Sequence, residues 1–377
     1  MKREYAFGQR EERTMKEKKT IALIFGGRGC EREVSRAGAD FVFPLLKTDS
    51  CSPLPIFIEK SGKWLAAPDL RSENLPKDPG SSPEFREFYP ICQSGRGGIS
   101  SQSGEFIEID VAIPLLHGDF GEDGVVQGVL DCAGIRYIGC DIHTGSLLMD
   151  KINTKIIAEF LGIEVAKFSF GIKGSPVFSP ENAKKRAEEL FGYPMFIKPA
   201  RLGSSFGASA VYSESDFEES YKKAEAAGEG RVLIEELVDI DFEAECAYFK
   251  VKNKEIISNL AGISCTFGFY DHEKKYITPH GTSIHNDIKE LGYGSDIYSL
   301  HEQRAKEQVK LLAEFFGVRH LSRFDFFITK SGKLIFNEIN TFPGFTETSL
   351  YPKLIERCGL PIGEALKLMI SDALFEI

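Results

Sequence analysis

Two carboxylates, a guanidinium and an amide are spaced to meet on one face of a hairpin near the C-terminal end of this sequence. In SRFDFFITKSGKLIFNEIN, residues 322–340, two apolar runs flank a Lys330-Ser331-Gly332 turn, the pattern of a β-hairpin. Counting outward from the turn sets Asp325 roughly opposite Glu338. Side chains alternate along a strand, so Arg323 shares the face of Asp325, and Asn340 that of Glu338. Such a face suits a hard cation, because magnesium takes oxygen ligands at about 2.0–2.1 Å and keeps places for phosphate oxygens and water. An ordinary solvated sheet face held by a salt bridge is the competing reading, and the segment alone leaves both open. Just downstream, Gly344 lies between Pro343 and Phe345. A tight turn there can aim backbone N–H groups at a developing oxyanion.

These groups need a scaffold, and the chain upstream supplies the pattern of one. Thr20–Phe25 (TIALIF) is a short apolar run ending at Gly26-Gly27, as in a buried parallel strand. Val34, Ala37, Phe41, Val42 and Leu45 then recur at helical spacing. Strand, glycine turn and helix open an α/β domain. The stretch from Pro68 to Gly104 is rich in Pro, Ser and Gly and is expected to be an irregular surface insertion. Val111–Leu116 returns as a second buried strand, ending at His117-Gly118.

A second region starts near Cys140, where Ile152, Ile156, Ile157 and Phe160 mark a helix that Gly162 stops. Pro194–Lys198 and Ala208–Tyr212 read as strands joined by the glycine-rich ARLGSSFG, and Arg231–Leu237 as another strand. In a third region, Glu245–Val251 and Lys254–Leu260 resemble a hairpin. Residues 265–295 form a polar, glycine-punctuated loop of the kind that covers active sites. Leu300–Phe316 is an amphipathic helix ended by Gly317. The expected division is a charged leader (1–19) and domains at 20–139, 140–236 and 237–377.

At 377 residues the chain exceeds one ordinary core, so two or three domains are expected. Its 42% apolar and 27% charged content describes a globular protein. A net charge of −10 argues against a general nucleic-acid or anionic-membrane partner. The eight cysteines form no CxxC pair, which points to reduced thiols in a cytosol. No run approaches the ~18 apolar residues of a membrane span, and the first nineteen residues lack the apolar core of a signal peptide.

FNEINTFPGFTETSLYPKL resembles the C-terminal signature of the D-alanine–D-alanine ligases. Four further segments agree in the family's order: GGRGCEREVS (26–35), LHGDFGEDGVVQGVL (116–130), FIKPARLGSSFGAS (196–209) and FYDHEKKY (269–276). The resemblance runs from about residue 20 to the C-terminus. It implies the α/β ATP-grasp fold: an α/β N-terminal domain, a central domain and a C-terminal α+β domain, with nucleotide gripped between the last two. It further implies ATP, two Mg2+ ions (Mn2+ as a substitute), D-alanine as the amino-acid substrate, a cytoplasmic homodimer, and a place in peptidoglycan precursor synthesis.

The resemblance assigns roles residue by residue. Glu33 would fix the ammonium of the first D-alanine; on its own it reads as a helix-N-terminal acid favoured by the macrodipole. His117 closes a strand where α/β sheets place ligands, and would contact the same substrate, although a lone histidine is more often structural. Lys151 and Lys198 would hold ATP phosphates, as compact point charges suited to them. Exposed lysines are usually solvated, but Lys198 sits inside the apolar strand MFIKP. Gly203 and Ser205 would offer donors to phosphate oxygens; no GxxxxGK[ST] pattern exists, which disfavours a P-loop enzyme. Ser204 would link Glu33 to the lid tyrosine, Tyr276, whose neighbour is Lys275; simple packing of a loop aromatic is the alternative for Tyr276. Asp325, Glu338 and Asn340 would carry the metal, and Arg323 would stabilise the transferring phosphoryl group and, with Gly344, the tetrahedral oxyanion. Ser349 and Leu350 would bind the second D-alanine. Glu235 or Glu236 would meet adenine through the adjoining backbone, and Glu243 the ribose.

Two departures stand out. VDIDFE occupies the place where a glycine normally precedes the ribose glutamate, and ITPHGTSIHNDIKEL follows Tyr276 without the family's Pro-Ala step. The second keeps a D-alanine–D-serine ligase in view. Tyr276 argues against a D-alanine–D-lactate ligase, where histidine is expected. A nucleotide-binding relative without turnover is disfavoured because the metal and substrate residues remain. Other amide ligases of the superfamily share the metal hairpin but lack EREVS and HGDFGEDG.

Overall fold

The apolar run near the start becomes β1, Lys19–Gly26, with Ile21–Phe25 wholly shielded from solvent. This is a computed structural model, and it describes residues 18–203, 206–265, 282–285 and 295–375, of which 263–265, 282–285 and 295–298 are described by backbone alone. Residues 1–17 of the expected leader and most of the expected 265–295 loop lie outside the described residues, and Lys19, placed in that leader, opens β1. The chain divides into two units. The first runs to Ile142 and takes in Val251–Lys254 and the chain from Phe342 onward; the second comprises His143–Lys250 and Glu255–Thr341.

In the first unit β1 is followed by α1 (Arg32–Leu45), β2 (Cys51–Ile58), β3 (Trp64–Ala66), β4 (Arg86–Gln93), β5 (Arg96–Ser100), β6 (Phe106–Glu108), β7 (Val111–Pro114) and α2 (Val125–Cys132). The strands form one sheet in the order β6-β5-β4-β3-β2-β1-β7. β1 pairs parallel with both β2 and β7, which explains its continuous apolar run. The remaining pairs are antiparallel. The stretch Pro68–Gly104 is therefore not an irregular insertion. It holds two strands whose Phe88 and Ile99 are fully buried. Two of its glycines are packing sites: a Cβ on Gly97 would collide with the Gly134 carbonyl, and one on Gly98 with the Ile107 carbonyl.

The helix after β1 exists, but its inward face is displaced by one residue from the expected one. Ser35, Gly38, Ala39, Val42 and Phe43 are buried, and of the expected set only Val42 is. Small residues win the contact because the helix lies close to the sheet. A Cβ on Gly38 would sit 2.9 Å from Leu115 Cδ2 and 3.2 Å from the Phe345 carbonyl. Ser35 Oγ accepts from the Gly26 N–H at 2.9 Å and donates to the Leu115 carbonyl, satisfying backbone groups where the sheet stops.

The second unit takes in α3 (Ile142–Met149) from His143 onward and α4 (Lys151–Phe160), which ends at Gly162 with φ +78°. There follow β8 (Phe168–Ile172), α5 (Pro180–Leu190), β9 (Met195–Pro199), β10 (Ser209–Val211), α6 (Phe217–Ala227) and β11 (Arg231–Glu236). Their strands form an antiparallel sheet in the order β10-β9-β11-β8. The second sheet of this unit contains β12 (Ile240–Val251), β13 (Lys254–Ile257), β14 (Ala261–Cys265) and β15 (Thr282–His285). After α7 (Ser295–Phe316) it is completed by β16 (His320–Thr329) and β17 (Leu334–Asn340). Its order is β15-β14-β12-β16-β17, with β13 on β12. β15 places a strand inside the expected loop. The C-terminal helices α8 (Leu350–Arg357) and α9 (Ile362–Phe375) belong to the first unit.

Candidate active site

The β16–β17 hairpin has the register the sequence predicts, Asp325 opposite Glu338 and Arg323 opposite Asn340. Arg323 donates to Asp325 through Nε and Nη2, both at 2.7 Å, and Asn340 Nδ2 reaches Asp325 Oδ2 at 2.9 Å. On the other side of β16, β12 sets Glu245 against Asp325, and its Oε2 lies 3.1 Å from Arg323 Nε. Burial works against the guanidinium charge, but Asp325 and Glu245 outweigh it and raise the Arg323 pKa well above the usual arginine value.

One irregularity shapes the site. Phe326 pairs with Phe336, not with Asn337, so Asn337 is an extra residue bulged out of the ladder. Its Oδ1 accepts from Lys198 Nζ at 3.4 Å. A second bulge lies between Ile240 and Phe242 on β12, within VDIDFE.

The hairpin faces a cleft within the second unit that encloses about 890 Å³, open solvent at its mouth included. Lys151, Lys198, Gly203, Glu235, Glu236, Glu243, Asp325 and Glu338 line it, joined by apolar Phe196, Leu237, Val238 and Phe327. Lys151 begins α4, capped by Asp150, whose Oδ1 accepts from Ile152 N. Lys151 Nζ is 3.1 Å from Glu338 Oε2 and donates to the Leu202 carbonyl at 2.9 Å. Asp150 is itself clamped by Arg201 and Arg231, at 2.9 and 2.7 Å, tying the lysine's helix to the start of the glycine-rich loop.

Glu235 takes a place its sequence role did not anticipate. Its carboxylate lies between two ammonium groups, Lys155 and Lys198, each at 2.6 Å. Burial pushes this carboxyl up, yet the two lysines outweigh it and bring it down to about 2. Burial also pulls Lys155 below the ordinary lysine value, opposed chiefly by Glu235. Glu236, by contrast, accepts from the Lys167 N–H at 3.0 Å and leads into Leu237 and Val238 on the cleft wall. Glu243 also lines that wall.

The donor chemistry fits a hard cation. Among the described residues no three His, Cys, Asp or Glu side chains gather as a cage, whereas Asp325, Glu338 and the Asn340 amide share one hairpin face. Magnesium is characteristically held by one or two carboxylates plus substrate phosphates.

Other expected residues fall in the first unit. Glu33 stands exposed in the first turn of α1. His117 is buried, its Nδ1 3.0 Å from the Phe342 carbonyl. Glu122 joins the same corner by accepting from Gly118 N and Phe342 N, at 2.9 and 3.1 Å. Gly344 abuts Ser349, 3.0 Å from where its Cβ would be. Ser349 precedes α8 and bonds Thr346, and Leu350 is buried. Ser204, Ser205, Lys275 and Tyr276 lie outside the described residues. Sequence reasoning missed Asp150, Lys155, Asn337 and Glu245. The cap position of Asp150 was a legible signal; the buried place of Lys155 and the bulge that exposes Asn337 left none.

Residues 20–140 match the family description "D-ala D-ala ligase N-terminus", and residues 157–371 match "D-ala D-ala ligase C-terminus". A D-alanine–D-alanine ligase of Chlorobium phaeovibrioides is 34% identical over 362 residues, covering 94% of this chain and 97% of its own. One from Treponema denticola is 32% identical over 364 residues, covering 94% and 95%. The crystal structure of the VanG D-Ala:D-Ser ligase from Enterococcus faecalis superimposes with TM-score 0.79 at 30% identity, covering 95% of this chain and 100% of that one. A cleft with two lysines above a carboxylate hairpin, on this fold, defines an ATP-grasp ligase. Within that class, the chain belongs to the D-alanine–D-alanine ligase family. No helix among the described residues is long and apolar enough to cross a membrane.

Proposed function

We propose that this chain joins two molecules of D-alanine at the cost of one ATP, in the cytoplasm and as a homodimer, supplying a peptidoglycan precursor. The observation that carries the reading is the convergence of Lys151 and Lys198 with Asp325 and Glu338 on one cleft. Lys151, Lys198, Gly203 and Ser205 bind the nucleotide phosphates, Glu243 the ribose, and the backbone after Glu236 the adenine. Asp325, Glu338 and Asn340 would hold two Mg2+ ions, or Mn2+, which offset the phosphate charge. Glu33 and His117 hold the first D-alanine, whose carboxylate oxygen bonds to the γ-phosphorus as the bond to the β,γ-bridging oxygen breaks and ADP departs. The amine of the second D-alanine, held by Ser349 and Leu350, then bonds to the acyl carbon; it loses a proton and phosphate leaves. Arg323 stabilises the transferring phosphoryl group and, with the Gly344 backbone, the oxyanion. Ser204, Lys275 and Tyr276 close the site against water. Catalysis of this kind is positioning and electrostatics.

The test measures phosphate release and dipeptide with D-alanine alone, and with D-alanine plus D-serine or D-lactate. Synthesis with D-alanine alone is expected. Release only when D-serine is added would reassign the second substrate, and none under any condition would overturn the reading.

A further inference from the structure

We infer that Lys155, which no role in the reaction yet claims, is a positioning residue that sets the charge Lys198 presents to nucleotide phosphates. The inference rests on reading the cleft as the nucleotide site. Lys155 is wholly buried in α4, its side chain 0% exposed, and its Nζ meets Glu235 Oε1 at 2.6 Å. The other oxygen of that carboxylate meets Lys198 Nζ, also at 2.6 Å, and Lys198 is 11% exposed and lines the cleft. A lysine on this helix face would ordinarily snorkel to water. Burying an ammonium is costly unless it is paired, so its retention here calls for a reason.

The charge count supplies one. Two ammonium groups share one carboxylate, so the triad carries one net positive charge; the next carboxylate, Glu338, is engaged by Lys151 at 3.1 Å. Lys155 has no route to solvent, so that charge is expressed at Lys198. The Asn337 amide oxygen, 3.4 Å from Lys198 Nζ, steadies the ammonium without cancelling it. Without Lys155, Glu235 and Lys198 form a closed neutral pair, and the carboxylate draws the ammonium away from phosphate.

The experiment compares ADP and adenosine binding by calorimetry. Lys155→Met should weaken ADP by roughly ten- to thirtyfold, the loss of one unit charge acting over roughly 8–12 Å at an effective dielectric near 20. Adenosine affinity should be unchanged. The double variant Lys155→Met/Glu235→Gln frees Lys198 of its carboxylate and should restore ADP binding to within about threefold, since a buried pair can be replaced by neutral groups at little cost. Equal loss of both ligands in Lys155→Met, or a double variant that folds without recovering ADP, would overturn the inference. So would a double variant that fails to fold, which would make Lys155 purely structural. Should Lys155→Met alone not fold, recovery in the double variant still carries the proposal. Failure of the wild-type protein to bind ADP would instead sink the nucleotide reading of the cleft.

Discussion

Arg323 and Asp325 are joined by two parallel hydrogen bonds, Nε to Oδ1 and Nη2 to Oδ2, each 2.7 Å long. The fork fixes both the carboxylate and the guanidinium plane, and Glu245 at 3.1 Å holds the arginine from the neighbouring strand. Lysine keeps the charge but cannot reproduce the fork. Arg323→Lys should therefore lower kcat for D-alanine-dependent phosphate release by about 100-fold or more, the scale of losing one preorganised donor to a developing charge. A kcat within twofold of wild type would separate Arg323 from the chemistry.

Glu235 links the site to stability. Glu235→Gln leaves Lys155 and Lys198 without a counterion and should cost about 3–5 kcal/mol at pH 7, read by denaturant unfolding. The pH dependence has a defined sign. The folded-state pKa lies near 2, below the ordinary glutamate value of 4.5. The contribution is thus fully present above pH 4.5 and is lost as pH falls toward 2. The gap between wild type and Glu235→Gln should narrow across that window; a constant gap would contradict the ion-pair account.

The hairpin was legible because three rules coincide there: alternation, a Lys-Ser-Gly turn, and apolar flanks of matching length. Equal counting from Ser331 brings Asp325 only to within one residue of Glu338; the bulge, which falls on the turn side of the pair, supplies that residue and sets the two opposite. Asn337 was not legible, since one extra residue changes which side chain faces the cleft without changing composition. Lys155 was not legible either: a lysine in a helix reads as solvated until Glu235 is known to lie against it. The Pro68–Gly104 stretch was misread because glycines that admit close packing look like loop residues, and α1 because Ser35 and Gly38 outcompete larger apolar neighbours for contact.

The role of Ser35 can be measured. Its hydroxyl accepts from Gly26 N and donates to the Leu115 carbonyl. Ser35→Ala leaves both backbone groups buried without that partner and should lower unfolding free energy by about 1–3 kcal/mol. No change in the urea midpoint would mean the bridge is dispensable.

The extension of the first sheet makes its own prediction. A methyl on Gly97 would meet the Gly134 carbonyl, backbone that cannot swing aside. Gly97→Ala should destabilise by at least about 1–3 kcal/mol, the usual cost of overpacking, whereas Gly95→Ala, with nothing within 4 Å, bears only the cost of its left-handed φ of 76°. Equal stability of wild type and Gly97→Ala would argue against this packing.

The most direct measurement is dipeptide synthesis by Glu338→Gln at saturating ATP, D-alanine and magnesium, with circular dichroism to monitor the fold. Glu338 faces Asp325 and lies 3.1 Å from Lys151, so neutralising it removes one of the two carboxylates meant to carry the cation. The account predicts a folded protein whose rate of D-alanyl-D-alanine formation falls about 100-fold or more, as for loss of a group that acts on developing charge. A folded variant that makes the dipeptide at the wild-type rate would place the reaction somewhere other than this hairpin.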